Sequence, residues 1–273
     1  MEVATAGCCG PGLALCGALM AASGGSRFLA SRYQEPSVDD LFMYDCITAS
    51  KNSQEDRGQD GQPAVKASDD ILAFAFSSSG GYFALTDDNK RLVLFRTKPC
   101  WECLSVRSVI RRCTSLIITA AEDKILVADK SGDVYSYSIT EPQKSGKIEL
   151  GHLSLLLDVA LSPDDQYILT ADRDEKIRVS LTRAPHNIIS FCLGHREFVS
   201  RIFVIPNYPD LMLSASGVCI LILSKKEMSV FEPDLSFLLV LQGFGFCRGG
   251  RLALQFHSHQ HSTLGSIFLL LVR

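Results

Sequence analysis

Thr86-Asp87-Asp88-Asn89-Lys90-Arg91-Leu92-Val93-Leu94-Phe95 passes from the end of one extended run, through a polar turn, into another. Ala128-Asp129-Lys130-Ser131-Gly132-Asp133-Val134-Tyr135-Ser136-Tyr137 and Ala171-Asp172-Arg173-Asp174-Glu175-Lys176-Ile177-Arg178-Val179-Ser180 have the same shape. Ser214-Ala215-Ser216-Gly217 begins a fourth copy, so the starts at 86, 128, 171 and 214 are separated by 42, 43 and 43 residues. The run before each turn recurs as well: Phe83-Ala84-Leu85, Ile125-Leu126-Val127, Ile168-Leu169-Thr170 and Leu211-Met212-Leu213. From Ile71 onward, short alternating runs are punctuated by turn residues, and no helical periodicity is visible between 71 and 217. Side chains that alternate in and out with a period of two belong to half-buried strands, so this part of the chain is all-β.

Gly151-His152 and Gly194-His195 are also 43 residues apart. A period of about 43 with a Gly-His pair and a polar turn is the pattern of WD repeats, which build a β-propeller with four strands per blade. The histidine can bond through the blade to a Ser or Thr and to a turn Asp, which ties the outer strands to the inner ones. His152, Thr170 and Asp174 fit these parts in the third repeat, and His195 takes the histidine's place in the next. The tryptophan that usually closes the network is replaced by Phe95, Tyr137 and Ser180.

The 273 residues are 47% hydrophobic and 21% charged, which suits a folded core rather than whole-chain disorder. A net charge of −3 argues against binding nucleic acid through overall positive charge, although a local patch remains open. No stretch reaches the roughly 18 uninterrupted apolar residues of a membrane helix. The ten cysteines are scattered, several of them in apolar runs, and read as core thiols of a reducing compartment. Met1 to Ser23 is small and apolar but has no basic n-region, so it is a poor secretory signal.

Two strand-like runs, Ser26 to Ala30 and Leu41 to Cys46, precede a polar segment, residues 51–70, that reads as an exposed, disordered loop. After Gly217 the repeat stops. Val218-Cys219-Ile220-Leu221-Ile222-Leu223 replaces the expected polar turn, and residues 218–273 hold no Gly-His pair and three acidic residues. The expected organisation is a partial propeller over 1–217, followed by a divergent hydrophobic tail over 218–273 that is not a regular blade. Such a ring cannot close, and Val218–Leu223 and Ile267–Val272 are expected to be exposed, aggregation-prone strands.

Gly24-Gly25-Ser26-Arg27-Phe28-Leu29-Ala30, Tyr82 through Asp88, Val127 through Ser136, and Leu161-Ser162-Pro163-Asp164-Asp165 through Ile177-Arg178-Val179-Ser180 resemble the non-catalytic WD-repeat subunits of tRNA (guanine-7)-methyltransferases, in their mammalian form. The resemblance covers residues 12–217 and stops at Val218, as in a truncated or alternatively spliced form. It implies a seven-bladed propeller, here lacking roughly its last three blades, and a role as a scaffold rather than an enzyme. It also implies a heterodimer with a Rossmann-type catalytic subunit that holds S-adenosylmethionine, contact with tRNA through that complex, no cofactor on this chain and no membrane. The implied location is the nucleus, with the cytoplasm as a second compartment. Within the family, partner docking is associated with the blade whose residues here are Asp172, Arg173, Asp174, Glu175, Lys176 and Arg178.

Independently of the resemblance, the alternating charges of that stretch suit an orienting docking face, or else an ordinary solvated turn. Lys90, Arg91, Arg96, Lys98, Arg107, Arg111 and Arg112 stand in a segment that holds only Glu102 as an acid. That density can hold RNA phosphates by counterion release without reading sequence, or can simply solvate a rim. Trp101 is a base-stacking candidate or a packed core residue. Cys100-Trp101-Glu102-Cys103 lacks the βαβ setting of a redox motif and a second Cys pair for zinc, and His257-Ser258-His259-Gln260-His261 reads as chance. The sequence shows no catalytic or metal-binding constellation. An adaptor propeller for a ubiquitin ligase or DNA-repair protein, an enzyme on a propeller frame, and a non-functional truncated variant are the alternatives.

Overall fold

The computed structural model describes residues 12–33, 41–48, 68–174, 176–193, 195–205, 211–216, 220–224 and 239–241. These form five consecutive four-stranded antiparallel sheets. The first contains β1 (Gly12–Cys16), β2 (Leu19–Gly24), β3 (Arg27–Arg32) and β4 (Phe42–Asp45). The second contains β5 (Ile71–Phe76), β6 (Tyr82–Asp87), β7 (Arg91–Arg96) and β8 (Glu102–Ser108). The third contains β9 (Cys113–Ile118), β10 (Lys124–Asp129), β11 (Asp133–Ser138) and β12 (Lys147–Gly151). The fourth contains β13 (Leu156–Leu161), β14 (Tyr167–Asp172), β15 (Ile177–Leu181) and β16 (Ala184–Cys192), and the fifth β17 (Val199–Val204), β18 (Leu211–Ser216), β19 (Ile220–Ser224) and β20 (Leu239–Leu241). The first strand of each sheet packs against the first strand of the next, so these are the inner strands of a propeller.

Each apolar core lies between two sheets. Phe28, Phe83 and Phe95 are fully buried between the first and second, and Leu92, Ile125 and Tyr137 between the second and third. Leu126, Leu156 and Ile168 fill the next interface, and Ile177, Val179 and Val199 the last. Middle strands therefore bury both faces, which is why β6 and β10 read as nearly continuous apolar runs. Trp101 belongs to the first of these cores, stacked on Phe42 with centroids 5.0 Å apart. It is a packed residue, not a base platform.

Two expectations need correction. Gly12–Gly24, placed within the partial propeller but not read as strands, forms β1 and β2 and completes a first blade. The segment after Gly217, expected to be an exposed strand outside any blade, supplies β19 and β20. Ile220–Ser224 pairs along β18 from Ala215 to Leu211, and Leu239–Leu241 pairs in turn with β19. The described residues thus form five sheets where the repeats alone indicated about four. An apolar run needs only a partner of matching register to form a strand, and β18 provides one. No strand of the fifth sheet pairs with the first among the described residues. Ile267–Val272 and positions 51–67 lie outside the described residues, but Ser68 and Asp69 bond to Asp88 and Arg91 in the β6–β7 turn.

The repeat period reappears as a bonding period. Asp87, Asp129 and Asp172 each end a second strand and accept backbone N–H bonds from the turn that follows, from Arg91, from Ser131 and Asp133, and from Asp174 and Lys176. One residue later, the amides of Asp88, Lys130 and Arg173 donate to the carbonyls of Asp70, Arg112 and Leu155, tying each turn to the crossover that enters its blade. At the opposite end, Glu122 and Asp165 adopt left-handed φ values of 55° and 53°. From there they reach the preceding blade: Glu122 accepts from the Ser79 amide, and Asp165 from those of Ala120 and Ala121.

A third contact crosses three blades. Asp158 on β13 is 4% exposed and accepts from Ser115 Oγ on β9 at 2.7 Å, Arg201 Nη1 on β17 at 3.1 Å and the Ile202 amide at 2.8 Å. Ser115, Asp158 and Arg201 are 43 residues apart in turn and so occupy equivalent places in successive blades.

Candidate partner-docking and RNA-facing surface

The β14–β15 turn divides the predicted docking residues. Asp172 is buried and belongs to the blade network: His152 Nδ1 lies 3.1 Å from Asp172 Oδ2, and His152 Nε2 lies 2.7 Å from Thr170 Oγ1. The acid of this network is therefore Asp172 and not Asp174, because the last residue of the strand, rather than the turn tip, points back into the blade. Arg178 is also buried, at 8% exposure. It donates from Nε to Ser180 Oγ at 3.0 Å, from Nη1 to the Gly151 carbonyl at 2.9 Å and from Nη2 to the Pro185 carbonyl at 3.2 Å. These three bonds all lie inside the blade, and none of them goes to a turn carboxylate. Arg173, Asp174 and Lys176 are exposed and remain available for docking, while Glu175 lies outside the described residues.

A carboxylate only accepts, so neutral His152 carries its proton on Nδ1 toward Asp172 and accepts at Nε2 from Thr170. Burial, reinforced by the Arg178 guanidinium, depresses the His152 pKa more than Asp172 raises it. His195, bonded to Ser214 Oγ at 2.8 Å, is depressed by burial in the same way. An imidazole that titrates lower in the folded state than in the unfolded chain stabilises the fold above its unfolded pKa and loses that contribution as pH falls below it. The stability difference between wild type and His152→Gln is therefore expected to be larger at pH 7.5 than at pH 5.5, as read from urea unfolding at the two values.

The seven basic candidates do not form one patch. β7 and β8 run between the two ends of their blade, so their charges are separated by strand lengths of roughly 20 Å. Arg96, which pairs with Glu102, and Lys98, which donates to the Ser79 carbonyl at 2.8 Å, lie at one end. Lys90, Arg91, Arg111 and Arg112 lie at the other. Arg91 is taken up by Asp87 and Asp69, and Arg112 by Asp88 at 2.8 Å. Arg107 is 9% exposed, donates to the Ser138 carbonyl and sits 5.4 Å from the Tyr137 ring centroid. It is a packing residue that a charge count alone could not separate from the surface set. Exposed Lys90 and Arg111 share their end of the propeller with Lys130, Arg173 and Lys176.

The same end carries apolar residues that sequence reasoning missed. Leu153 and Phe198 stand in the crossovers into the fourth and fifth blades, and Leu193 follows β16 directly, all strongly exposed. Leu153 and Leu193 flank the charged turn at Arg173–Lys176, because Cys192 pairs with Ile177 and the Arg173 amide bonds to Leu155, and Phe198 stands at the entry to the next blade. Apolar residues beside strands read as core; only the topology shows that these lie outside it.

Among the described cysteines, Cys16, Cys46, Cys113 and Cys192 are buried, as expected of core thiols, and Cys16 Sγ lies 3.5 Å from the Ser77 carbonyl. Burial pushes Cys46, Cys113 and Cys192 up to about 12, which suppresses the reactive thiolate. Cys100 and Cys103 are exposed and form no disulfide, and partial desolvation of the Cys103 thiol raises its pKa rather than activating it. Among the described residues, no three His, Cys, Asp or Glu side chains group as metal ligands.

The chain matches the family described as tRNA methyltransferase TRM82 WD40 domain over residues 32–149 and 138–225. It is 65% identical over 210 residues, 77% of this chain, to the tRNA (guanine-N(7)-)-methyltransferase non-catalytic subunit WDR4 of Bos taurus, of which 50% is covered. It is 66% identical over 207 residues to the subunit of the same name from Mus musculus, covering 76% of this chain and 50% of that protein. The Danio rerio subunit is 62% identical over 180 residues, covering 64% and 44%. The chain thus spans about half the length of the curated relatives it matches. With five antiparallel sheets, inner strands packed in series and blade networks at a 43-residue period, this chain belongs to the TRM82-type WD-repeat family.

Proposed function

We propose that this chain acts as a non-catalytic scaffold in a tRNA guanine-N(7) methyltransferase complex. The observation that supports this is its identity of about two thirds to proteins named as the non-catalytic subunit of that enzyme. In this reading the methyl donor, S-adenosylmethionine, sits on a catalytic partner in a heterodimer, and this chain supplies a surface and no chemistry. Docking falls to the end of the propeller that carries Arg173, Asp174 and Lys176, with Leu153 and Leu193 beside them and Phe198 at the entry to the next blade. Opposed charges there set orientation and encounter rate, while the apolar side chains contribute desolvation. Lys90, Arg111 and Lys130 lie further round the same end and suit nonspecific contact with tRNA phosphates. A nuclear location, with a cytoplasmic pool, accompanies this role.

Co-expression with the catalytic subunit tests it. The chain is expected to co-purify with that subunit and raise its tRNA methylation. The double variant Arg173→Glu/Lys176→Glu is expected to bind it at least about tenfold more weakly at low salt, with unchanged melting temperature. Co-purification unaffected by the double variant moves docking elsewhere, and no co-purification ends the scaffold reading for this chain.

A further inference from the structure

We propose that His195 is a proton-released latch: it holds the crossover between β16 and β17 against the fifth blade, and on acidification that crossover leaves its seat while the blades stay folded. The latch itself stands apart from the methyltransferase reading. Its bearing on partner docking rests on that reading, because this crossover carries Leu193 and Phe198.

Five described side chains stand between Cys192 and Val199. Leu193, Arg196, Glu197 and Phe198 are exposed, and His195, at 6% exposure, is the one that is buried. Its Nε2 lies 2.8 Å from Ser214 Oγ on β18. The apolar side chains of the crossover already lie outside the core, so releasing the segment uncovers little besides one imidazole. The crossover into the fourth blade has further ties. There the His152 amide donates to the Gly132 carbonyl at 2.8 Å, the Leu155 carbonyl accepts from the Arg173 amide, and the His152 ring reaches both Asp172 and Thr170.

The two histidines differ in what meets a second ring proton. Leu156 pairs with Asp172 and Val199 with Ser216, so Ser216 holds in the fifth blade the place of Asp172 in the fourth. An imidazolium at His152 keeps a carboxylate at 3.1 Å, whereas β18 offers Ser214 and Ser216, and a hydroxyl does not neutralise a cation. The other titratable or charged groups of the adjoining elements are Cys192 at the end of β16, Lys176 before β15, Asp172 at the end of β14, which His152 engages, and Arg201 on β17, which Asp158 engages. Arg196 and Glu197, both exposed, lie on the crossover itself. Burial lowers the His195 pKa, so a proton favours the released, solvated ring over the seated one. The stabilisation from the seat is present above the ordinary histidine pKa of about 6.5 and is lost as pH falls below it.

Hydrogen exchange on the full chain, followed by mass spectrometry at pH 7.5 and 5.5 and corrected for intrinsic rates, reads this out. One histidine whose proton is excluded from the seated form shifts the opening equilibrium by at most about elevenfold one pH unit below its unfolded pKa. The amides of residues 195–198 are expected to exchange about three- to tenfold faster at pH 5.5, with β5–β7 of the second blade unchanged. His195→Gln, which can still bond Ser214 but does not titrate in this range, is expected to abolish the difference, and His152→Gln to keep it. No acceleration at 195–198, acceleration shared by β5–β7, or the same acceleration in His195→Gln overturns the proposal. Affinity for the catalytic subunit is measured on the same samples and is expected to fall with the acceleration. Acceleration at an unchanged affinity upholds the latch and removes this crossover from the docking surface.

Discussion

Asp158→Ala is expected to lower the unfolding free energy by about 3–5 kcal/mol, the range found when one partner of a buried charged network is removed. The substitution leaves the Ser115 hydroxyl and the Ile202 amide without their acceptor, and a largely buried Arg201 without this carboxylate. A domain of this size has only about 5–15 kcal/mol in total, so the loss is decisive. Ser115→Ala removes one neutral donor and is expected to cost about 1 kcal/mol. Asp158→Asn, which keeps one accepting oxygen, should fall between them. Urea unfolding followed by tryptophan fluorescence gives all three values, since Trp101 is the single tryptophan and is packed in the first core. A cost below about 1 kcal/mol for Asp158→Ala would mean that the three-blade contact is peripheral.

Arg178→Glu is expected to be the other severe variant, and to act through folding. The new carboxylate would face the Gly151 and Pro185 carbonyls, acceptor against acceptor, where Arg178 now donates to both. An uncompensated buried charge costs on the order of 3–5 kcal/mol, so little soluble protein is expected at 37 °C. Arg178→Met keeps much of the aliphatic volume without a charge and should be milder. Partner affinity per folded molecule of Arg178→Met, measured at low temperature, is expected to match wild type. A drop of tenfold or more with the fold intact would return Arg178 to the docking surface.

These two residues show what could be read from the chain before its folding. The 43-residue period, the all-β class and the histidine network were legible, because periodic sequence reflects periodic bonding. The assignment of Asp174 to that network erred by two positions: a turn acid and a strand-end acid look alike until the strand boundary is known. Arg178 and Arg107 were both counted as surface charges, since a basic residue in a strand shows no sign of which backbone carbonyls surround it. The apolar docking neighbours Leu153, Leu193 and Phe198 were invisible for the converse reason. The repeat pattern ends at Gly217, yet β19 and β20 form because pairing along β18 asks for register and apolar character rather than for a repeat motif.

The contacts that repeat along the chain have a practical meaning for dissecting it. Glu122 and Asp165 reach back one blade, and Asp158 reaches one blade in each direction. No blade is therefore a self-contained module. A cut between β16 and β17 leaves Asp158 without Arg201 and Ile202, and a cut between β12 and β13 leaves Ser115 without its acceptor, although both cuts fall in loops. Fragments, fusions or circular permutants that respect the visible sheet boundaries sever half of each contact, so the functional unit of exchange in this chain is a pair of blades with its shared seam.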